Sequence, residues 1–301
     1  MLRKLREIIA AAPVITIFRH VHPDMDAIGS QLGLQKAIQT LYPDKQVYVL
    51  GNESRENVPM DVVDDEVVKH SLAILLDTSN ADRIDDARYL SAQTKMRLDH
   101  HVKVEDLADY DYVDDKASAT GEILAQLLAP YEIGREAAQH LYEALTSDNI
   151  RFTTGNTRPE SLQAGAWLLS QGADVIRCEL DNHACDFNAW QYENKVKTRA
   201  CRKGNVLFAV MEENDYLSCG LTQAQAKDKV YCLGGIRDIT IWALFTRNQD
   251  GTYNGSLRSR DKDVRQVAVE FGGGGHICAA GIKGLSGADV QAIVQKLAAF
   301  S

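Results

Sequence analysis

VITIFRHVHPDMDAIGS, Val14 to Ser30, runs from a continuous apolar stretch through a dense group of ligand-bearing side chains into a helical pattern. A five-residue run, apolar but for Thr16, followed by a polar turn and a helix predicts a strand buried on both faces. In a parallel sheet the end of such a strand is where ligands bind. His20, Asp24 and Asp26 put one imidazole and two carboxylates there, on a turn held by Pro23. Mixed nitrogen and oxygen donors suit a borderline divalent ion such as Mn²⁺. An aspartate before a helix is also a common N-cap. Capping needs one acid, however, and leaves His20 and the second acid without a role.

Working outward, the same alternation recurs. VYVL (Val47–Leu50), LAILL (Leu72–Leu76) and MRL (Met96–Leu98) read as further strands, with helices over about 27–41, 119–129, 136–147 and 160–171. This predicts an α/β unit, a parallel sheet with helices on both faces. Thr157-Arg158-Pro159-Glu160 reads as a capping box that starts the last of these helices. FNAWQYENKVKTRA (Phe187–Ala200) reads as a polar connecting helix. Beyond it VLFAVM, ITIWALF and YNGSLRS alternate as strands do, and helices follow near 263–271 and 287–300. The expected division is a first unit at 1–186, a linker helix at 187–200 and a smaller mixed α/β unit at 201–301.

The composition of the 301 residues, 45% hydrophobic and 25% charged, is that of a globular protein with a full core. No apolar stretch approaches the roughly 18 residues of a membrane span. A net charge of −9 argues against a duplex-DNA binder. The charge is divided: residues 1–185 carry −12 and residues 186–301 carry +3. That pattern suggests cations gathered by the first part and an anionic substrate held by the second. An uneven surface without functional meaning accounts for it equally well. Six cysteines without a C-x-x-C pair read as reduced thiols in a cytoplasmic setting. The basic and apolar start, MLRKLREIIAAAP, mimics a signal peptide, but Pro13 and Thr16 interrupt the run and VITIF is better read as the first strand.

Two more strand ends carry the same chemistry. Asp77 follows LAILL, and Asp99, His100 and His101 follow MRL, while Asp148 closes a later helix. One acid at a strand end is often a cap or turn residue. Acids or imidazoles at three strand ends of one sheet supply enough ligands for two metal ions about 3.5–4 Å apart sharing a carboxylate. In the second part, Gly272–Gly275 exceed what a helix C-cap needs and allow backbone amides close to a ligand, with His276 as a donor beside them. Arg258 and Arg260 alternate on one side of a predicted strand, and Arg258 is expected as a phosphate clamp. An exposed basic edge is the plainer reading of Arg260. His22 is read as a surface residue or an indirect partner of the site; His70, His140 and His183 are read as ordinary packing or exposure.

HVHPDMDAIGS, the isolated Asp77, the triplet Asp99-His100-His101 and FGGGGHICAAG (Phe271–Gly281) together resemble the motifs of the DHH phosphoesterases and their DHH-associated substrate domain. Length and motif order are most similar to the bacterial nanoRNase and pAp phosphatase group. The resemblance implies one metal on His20, Asp24 and Asp77 and a second on Asp26, Asp77, His100 and Asp148, with Asp77 bridging. It implies two divalent ions, Mn²⁺ first with Mg²⁺ or Co²⁺ as alternatives, and a water between them that attacks phosphorus. His101 would stabilise charge on the phosphate oxygens. Asp99 would orient the adjacent histidine as metal-bound imidazoles require. Arg258, Gly273, Gly274, Gly275 and His276 would bind the substrate. One departure stands out: the family often has Asp-Thr-Gly at the fourth acid, where this chain has Asp148-Asn149-Ile150.

The expected function is hydrolysis of short oligoribonucleotides to 5′-mononucleotides and dephosphorylation of 3′-phosphoadenosine 5′-phosphate (pAp). The expected partners are short single strands or small nucleotides, without duplex DNA or membrane, and a homodimer through the first unit is what the resemblance implies. The alternatives are a linear or cyclic dinucleotide phosphodiesterase, a RecJ-like single-strand exonuclease, a family II pyrophosphatase and a non-catalytic nucleotide-binding module. The pyrophosphatase lacks a GGGH segment, and the non-catalytic module fits poorly with a full set of acids and histidines.

Overall fold

Apolar side chains on both faces of a strand require cover on both sides, and the first half of the chain builds that arrangement. The computed structural model describes residues 1–53, 58–182 and 184–300, so His183 lies outside the described residues. The chain divides into two units, Met1–Ala184 and Cys185–Ser301. In chain order the first comprises α1 (Leu2–Ala11), β1 (Val14–Phe18), α2 (Met25–Leu41), β2 (Gln46–Val49), α3 (Asp65–Lys69), β3 (Leu72–Leu76), β4 (Thr94–Asp99) and β5 (Tyr110–Val113). Helices α4 (Thr120–Leu128), α5 (Arg135–Asp148), α6 (Pro159–Ser170) and α7 (Val175–Asn182) complete it.

All five strands pair in parallel in the order β2-β1-β3-β4-β5. Ile15, Ile17, Ile74, Leu76, Met96 and Leu98 face a core shared with Leu5, Leu34, Ile38, Ile123 and Leu141 of α1, α2, α4 and α5. Phe18, Ala73 and Leu75 face the other way and are covered by Val68 of α3 with Ile84 and Tyr89. The chain leaves β1 for β2 on one side and for β3 on the other. The switch in direction therefore lies between the ends of β1 and β3, where a crevice opens in sheets of this order.

Close helix packing brings the remaining elements to that crevice. A Cβ on Gly29 would lie 2.6 Å from the His140 carbonyl oxygen, and one on Gly121 2.8 Å from the Leu145 nitrogen. With glycine at both places, α2 and α4 seat directly on α5.

The capping box expected from Thr157 and Glu160 is displaced by one residue. Pro159 takes the first helical position, which its fixed φ and missing N–H favour, so Arg158 becomes the cap and its N–H donates to Ser161 Oγ at 3.1 Å. Strand β5 was not expected, because its four residues are all half-buried at a sheet edge. Helix α1 was likewise not expected.

The second unit holds α8 (Phe187–Arg199), β6 (Cys201–Lys203), β7 (Val206–Met211), α9 (Glu213–Leu217), α10 (Gln223–Asp228), β8 (Ile241–Arg247) and β9 (Tyr253–Ser259). After these come α11 (Val264–Glu270), β10 (Gly274–His276), β11 (Ala279–Leu285) and α12 (Gly287–Ala298). Its sheet runs β10-β11-β9-β8-β7-β6, with β7 and β8 parallel and the other pairs antiparallel. Helices α11 and α12 cover one face through Val264, Val267, Ile293 and Leu297. The other face packs on Tyr192, Val196, Tyr216 and Ala226. Helix α8, expected as a polar connector, thus contributes two fully buried residues to the second core. All six cysteines are free. No helix among the described residues is long and apolar enough to cross a membrane.

Candidate metal centre

The ends of β1, β3 and β4 and the termini of α2 and α5 converge on one point. His20 Nε2 lies 3.6 Å from Asp24 Oδ2 and 3.4 Å from Asp77 Oδ2. The Val21 carbonyl lies 2.7 Å from His20 Nδ1 and can only accept, so Nδ1 carries a proton and Nε2 faces the acids. Asp24 does both things open to it. Its Oδ1 accepts from the Ala27 N–H and caps α2, while its Oδ2 faces His20.

His100 Nε2 stands among three carboxylates, 3.3 Å from Asp148 Oδ2, 3.4 Å from Asp77 Oδ1 and 3.8 Å from Asp26 Oδ2. Asp77 thus turns one oxygen to each histidine. It is buried, and its backbone is left-handed (φ 57°), a conformation that aspartate tolerates better than most residues. Asp26 is fully buried and accepts from the Thr120 and Gly121 N–H groups and the Ser30 hydroxyl. All six residues expected as ligands fall within two groups, His20–Asp24–Asp77 and Asp26–His100–Asp148, with Asp77 next to both, and a third group joins Asp77 and His100 to His101.

The role expected for Asp99 needs correction. Its Oδ1 accepts from His101, at 2.8 Å from Nδ1 and 3.2 Å from the backbone N–H, and not from His100. His100 leans instead on the Ala117 carbonyl, 3.4 Å from Nδ1. Residues on one strand end point alternately, so the acid reaches the second histidine and misses the first. His101 Nδ1 lies 3.7 Å from Asp77, but the shorter bond to Asp99 occupies it and leaves Nε2 free at a partly exposed edge. Sequence reading missed Thr120, whose hydroxyl donates to Asp77 Oδ1 at 3.1 Å. His22, His70 and His140 pair with Glu53, Glu66 and Glu143 away from the centre.

In the second unit a pocket of about 590 Å³ is lined by Lys227, Arg258, His276, Lys283 and the glycine run. Arg258 is half-buried, and no carboxylate salt-bridges it among the described residues. Burial lowers its pKa, a cost that an anionic ligand would reverse. Arg260 lies past the end of β9 and bonds to the carbonyls of Ile236 and Arg237, so it does not share Arg258's face.

The four glycines divide by role. Gly272 (φ 75°) ends α11, with its N–H and that of Gly273 returned to Val269 and Ala268. Gly273 and Gly275 pack against β11, where a Cβ would meet carbonyl oxygens at 2.3 and 2.4 Å. At Gly274 a Cβ would meet nothing within 4 Å. Gly275→Ala is therefore expected to lower stability by about 1–3 kcal/mol, and Gly274→Ala to leave the melting temperature unchanged, as thermal denaturation would show.

A family model for the DHH N-terminal domain matches residues 14–147, and one for the DHHA1 domain matches residues 204–301. A Streptococcus mutans protein named probable bifunctional oligoribonuclease and PAP phosphatase NrnA is 32% identical, over 96% of this chain and 95% of its own. The chain belongs to the DHH family of phosphoesterases. The Bacillus subtilis bifunctional oligoribonuclease and PAP phosphatase NrnA is 28% identical over 93% of this chain and 92% of its own. An exopolyphosphatase-related protein from Bacteroides fragilis shares the fold, with a TM-score of 0.82 and 22% identity over 99% of this chain and 95% of that one.

DHH phosphoesterases are metal-dependent, and the donors here fit such ions. Two atoms bound to one ion at about 2.1 Å each sit roughly 3 Å apart, close to the spacing of His100 Nε2 from Asp148 and Asp77. His100 Nε2 is also buried without a hydrogen-bond partner. Burial, then the charges of Asp77 and Asp148, push Asp26 well above the ordinary carboxylate range. The metal-free site answers with protons. Burial opposes charge on both histidines, but the carboxylates around them prevail, raising His20 to about 10 and His100 to about 12.

Two divalent ions, one at each histidine, need both Nε2 lone pairs and must displace these protons. Mn²⁺ binding at pH 7 should therefore release at least two protons, and apparent affinity should rise steeply with pH to about 10 and less steeply on to about 12. Calorimetry in buffers of different ionisation enthalpy measures the release. A heat independent of buffer would contradict the assignment.

The DHH pattern departs at Asn149-Ile150. Asn149 is fully buried and bonds to Ser118 Oγ and the Phe152 N–H. Ile150, Arg151 and Phe152 follow in left-handed conformation. The turn after the fourth acid is thus anchored by the Asn149 side chain, without a glycine where the family often has one.

Proposed function

We propose that this chain is a Mn²⁺-dependent phosphoesterase that cleaves very short RNA to 5′-mononucleotides and removes the 3′-phosphate of pAp. The observation that carries the reading is Asp77, with Oδ2 turned to His20 and Oδ1 to His100, at the switch point of a parallel sheet. His20, Asp24 and Asp77 would hold one cation and Asp26, Asp77, His100 and Asp148 the other. Bound there, divalent ions supply Lewis acidity toward phosphate oxygens and a nucleophilic water near neutral pH. The mixed imidazole and carboxylate donors favour Mn²⁺ over Mg²⁺.

The chain's own groups do the rest. Asp99 fixes the His101 ring through Nδ1, so that Nε2, when protonated, donates to a phosphate oxygen whose charge grows in the transition state. In the second unit Arg258 and His276 line a pocket suited to a terminal phosphate, and Gly274 keeps its wall open. The relatives' names support the substrate class. This reading assigns metal chemistry to residues 1–186 and substrate capture to 201–301. It places the protein in the cytoplasm, where six free thiols stay reduced.

The test is parallel hydrolysis of an RNA dinucleotide, pAp, pyrophosphate, a cyclic dinucleotide and a 24-mer by metal-stripped protein with and without Mn²⁺. Turnover of the dinucleotide and pAp, only with metal, is the expected result. Preference for the 24-mer or for the cyclic dinucleotide would replace the proposed substrate class.

A further inference from the structure

Several ligands of the proposed metal centre are braced by one short segment. Between Asp114 and Glu122, the Ala117 carbonyl lies 3.4 Å from His100 Nδ1, and the Thr120 N–H donates to Asp26 at 2.7 Å. In the same segment the Thr120 hydroxyl donates to Asp77 at 3.1 Å, and Gly121 N–H to Asp26 at 3.0 Å. Ser118 Oγ accepts from Asn149, the residue after Asp148, at 3.3 Å. Four of the six ligands are thus reached directly or through an adjacent residue.

The segment is itself tied down at Glu122, which is fully buried. Its Oε2 accepts from Ser118 N–H (3.0 Å), Ser118 Oγ (2.9 Å) and Ser161 Oγ (2.6 Å). Its Oε1 accepts from Arg158 Nε at 2.6 Å, and Arg158 Nη2 reaches Asp114 Oδ2 at 2.6 Å. Arg158 therefore spans both ends of the segment with one planar fork. Among the described residues it is the one cation paired with Glu122. A lysine could not hold two carboxylates in this fixed geometry.

We infer that Arg158 is a positioning residue for the metal centre. It clamps Asp114 and Glu122, so that Thr120, Ala117 and Ser118 keep Asp26, Asp77, His100 and Asp148 at ligand spacing. The inference rests on the metal-centre reading above. Arg158 contacts none of the six ligands, so its effect is indirect, on the affinity for the ions and on the geometry of turnover.

The experiment titrates Mn²⁺ into metal-stripped full-length wild type, R158M and E122Q/R158M by calorimetry, with kcat and KM for pAp and melting curves alongside. R158M leaves a buried carboxylate uncompensated and is expected to cost folding stability, whereas the double variant removes both charges together and should fold. Both should bind Mn²⁺ about tenfold or more weakly, the range seen when indirect supports of metal ligands are lost. The loss in turnover should fall mainly on kcat. A folded E122Q/R158M that binds Mn²⁺ within twofold of wild type would overturn the inference. Failure of the wild type to bind Mn²⁺ would overturn the metal-centre reading, and this inference with it.

Discussion

Asp77→Asn should keep the fold and lose both turnover and stable metal binding. The backbone at this position is left-handed, which asparagine accepts as readily as aspartate, whereas alanine would add strain to the lost charge. The amide preserves volume and one acceptor, but it cannot turn an anionic oxygen to each side. As the wild-type carboxylate stands 3.4 Å from both His20 and His100, its loss removes the group shared by the two proposed ion sites. Turnover of pAp should fall by at least about 10³-fold, equivalent to about 4 kcal/mol of transition-state stabilisation. Metal content after Mn²⁺ loading and dialysis should drop in parallel, with circular dichroism unchanged. A variant that retains two equivalents of metal and a tenth of the turnover would remove Asp77 from its bridging role.

His101→Ala should separate chemistry from metal binding. Its Nδ1 is held by Asp99 at 2.8 Å, and its Nε2 is free at the open edge of the centre, so the ring can meet a phosphate oxygen without serving as a ligand. Removal of a donor that strengthens its bond in the transition state costs roughly 10²–10³-fold in kcat. Metal stoichiometry should stay at the wild-type value. Asp99→Asn, which leaves the imidazole in place but loosens it, should cost about 10–100-fold. Should His101→Ala lose one equivalent of metal, the histidine would be a ligand, and its closeness to Asp77 would be the reason.

The first sheet was legible because its central strands β1, β3 and the end of β4 are buried on both faces and therefore read as mainly apolar runs. Its edge strand β5 was not, since half-buried residues carry no such pattern. The pairing of β10 with β11 was hidden for a different reason. A run of four glycines reads as a ligand-binding loop, yet Gly273 and Gly275 are required by close strand packing. Asp24 shows why weighing a cap against a ligand was too strict: a carboxylate has two oxygens, and this one uses each for a separate purpose.

By itself the sequence determined the chemistry available: which side chains donate nitrogen or oxygen, and that they follow strands of a parallel sheet. Local order suffices for this, because strand burial and side-chain type are written residue by residue. Only the tertiary structure decided which atoms meet. Thr120 reaches Asp26 across 94 positions and Asp77 across 43, and Arg158 reaches Glu122 across 36. It also decided that Asp99 serves His101 and not His100. Such choices depend on ångström-scale convergence of elements distant in the chain, and the packing of α2, α4 and α5 over the sheet supplies it.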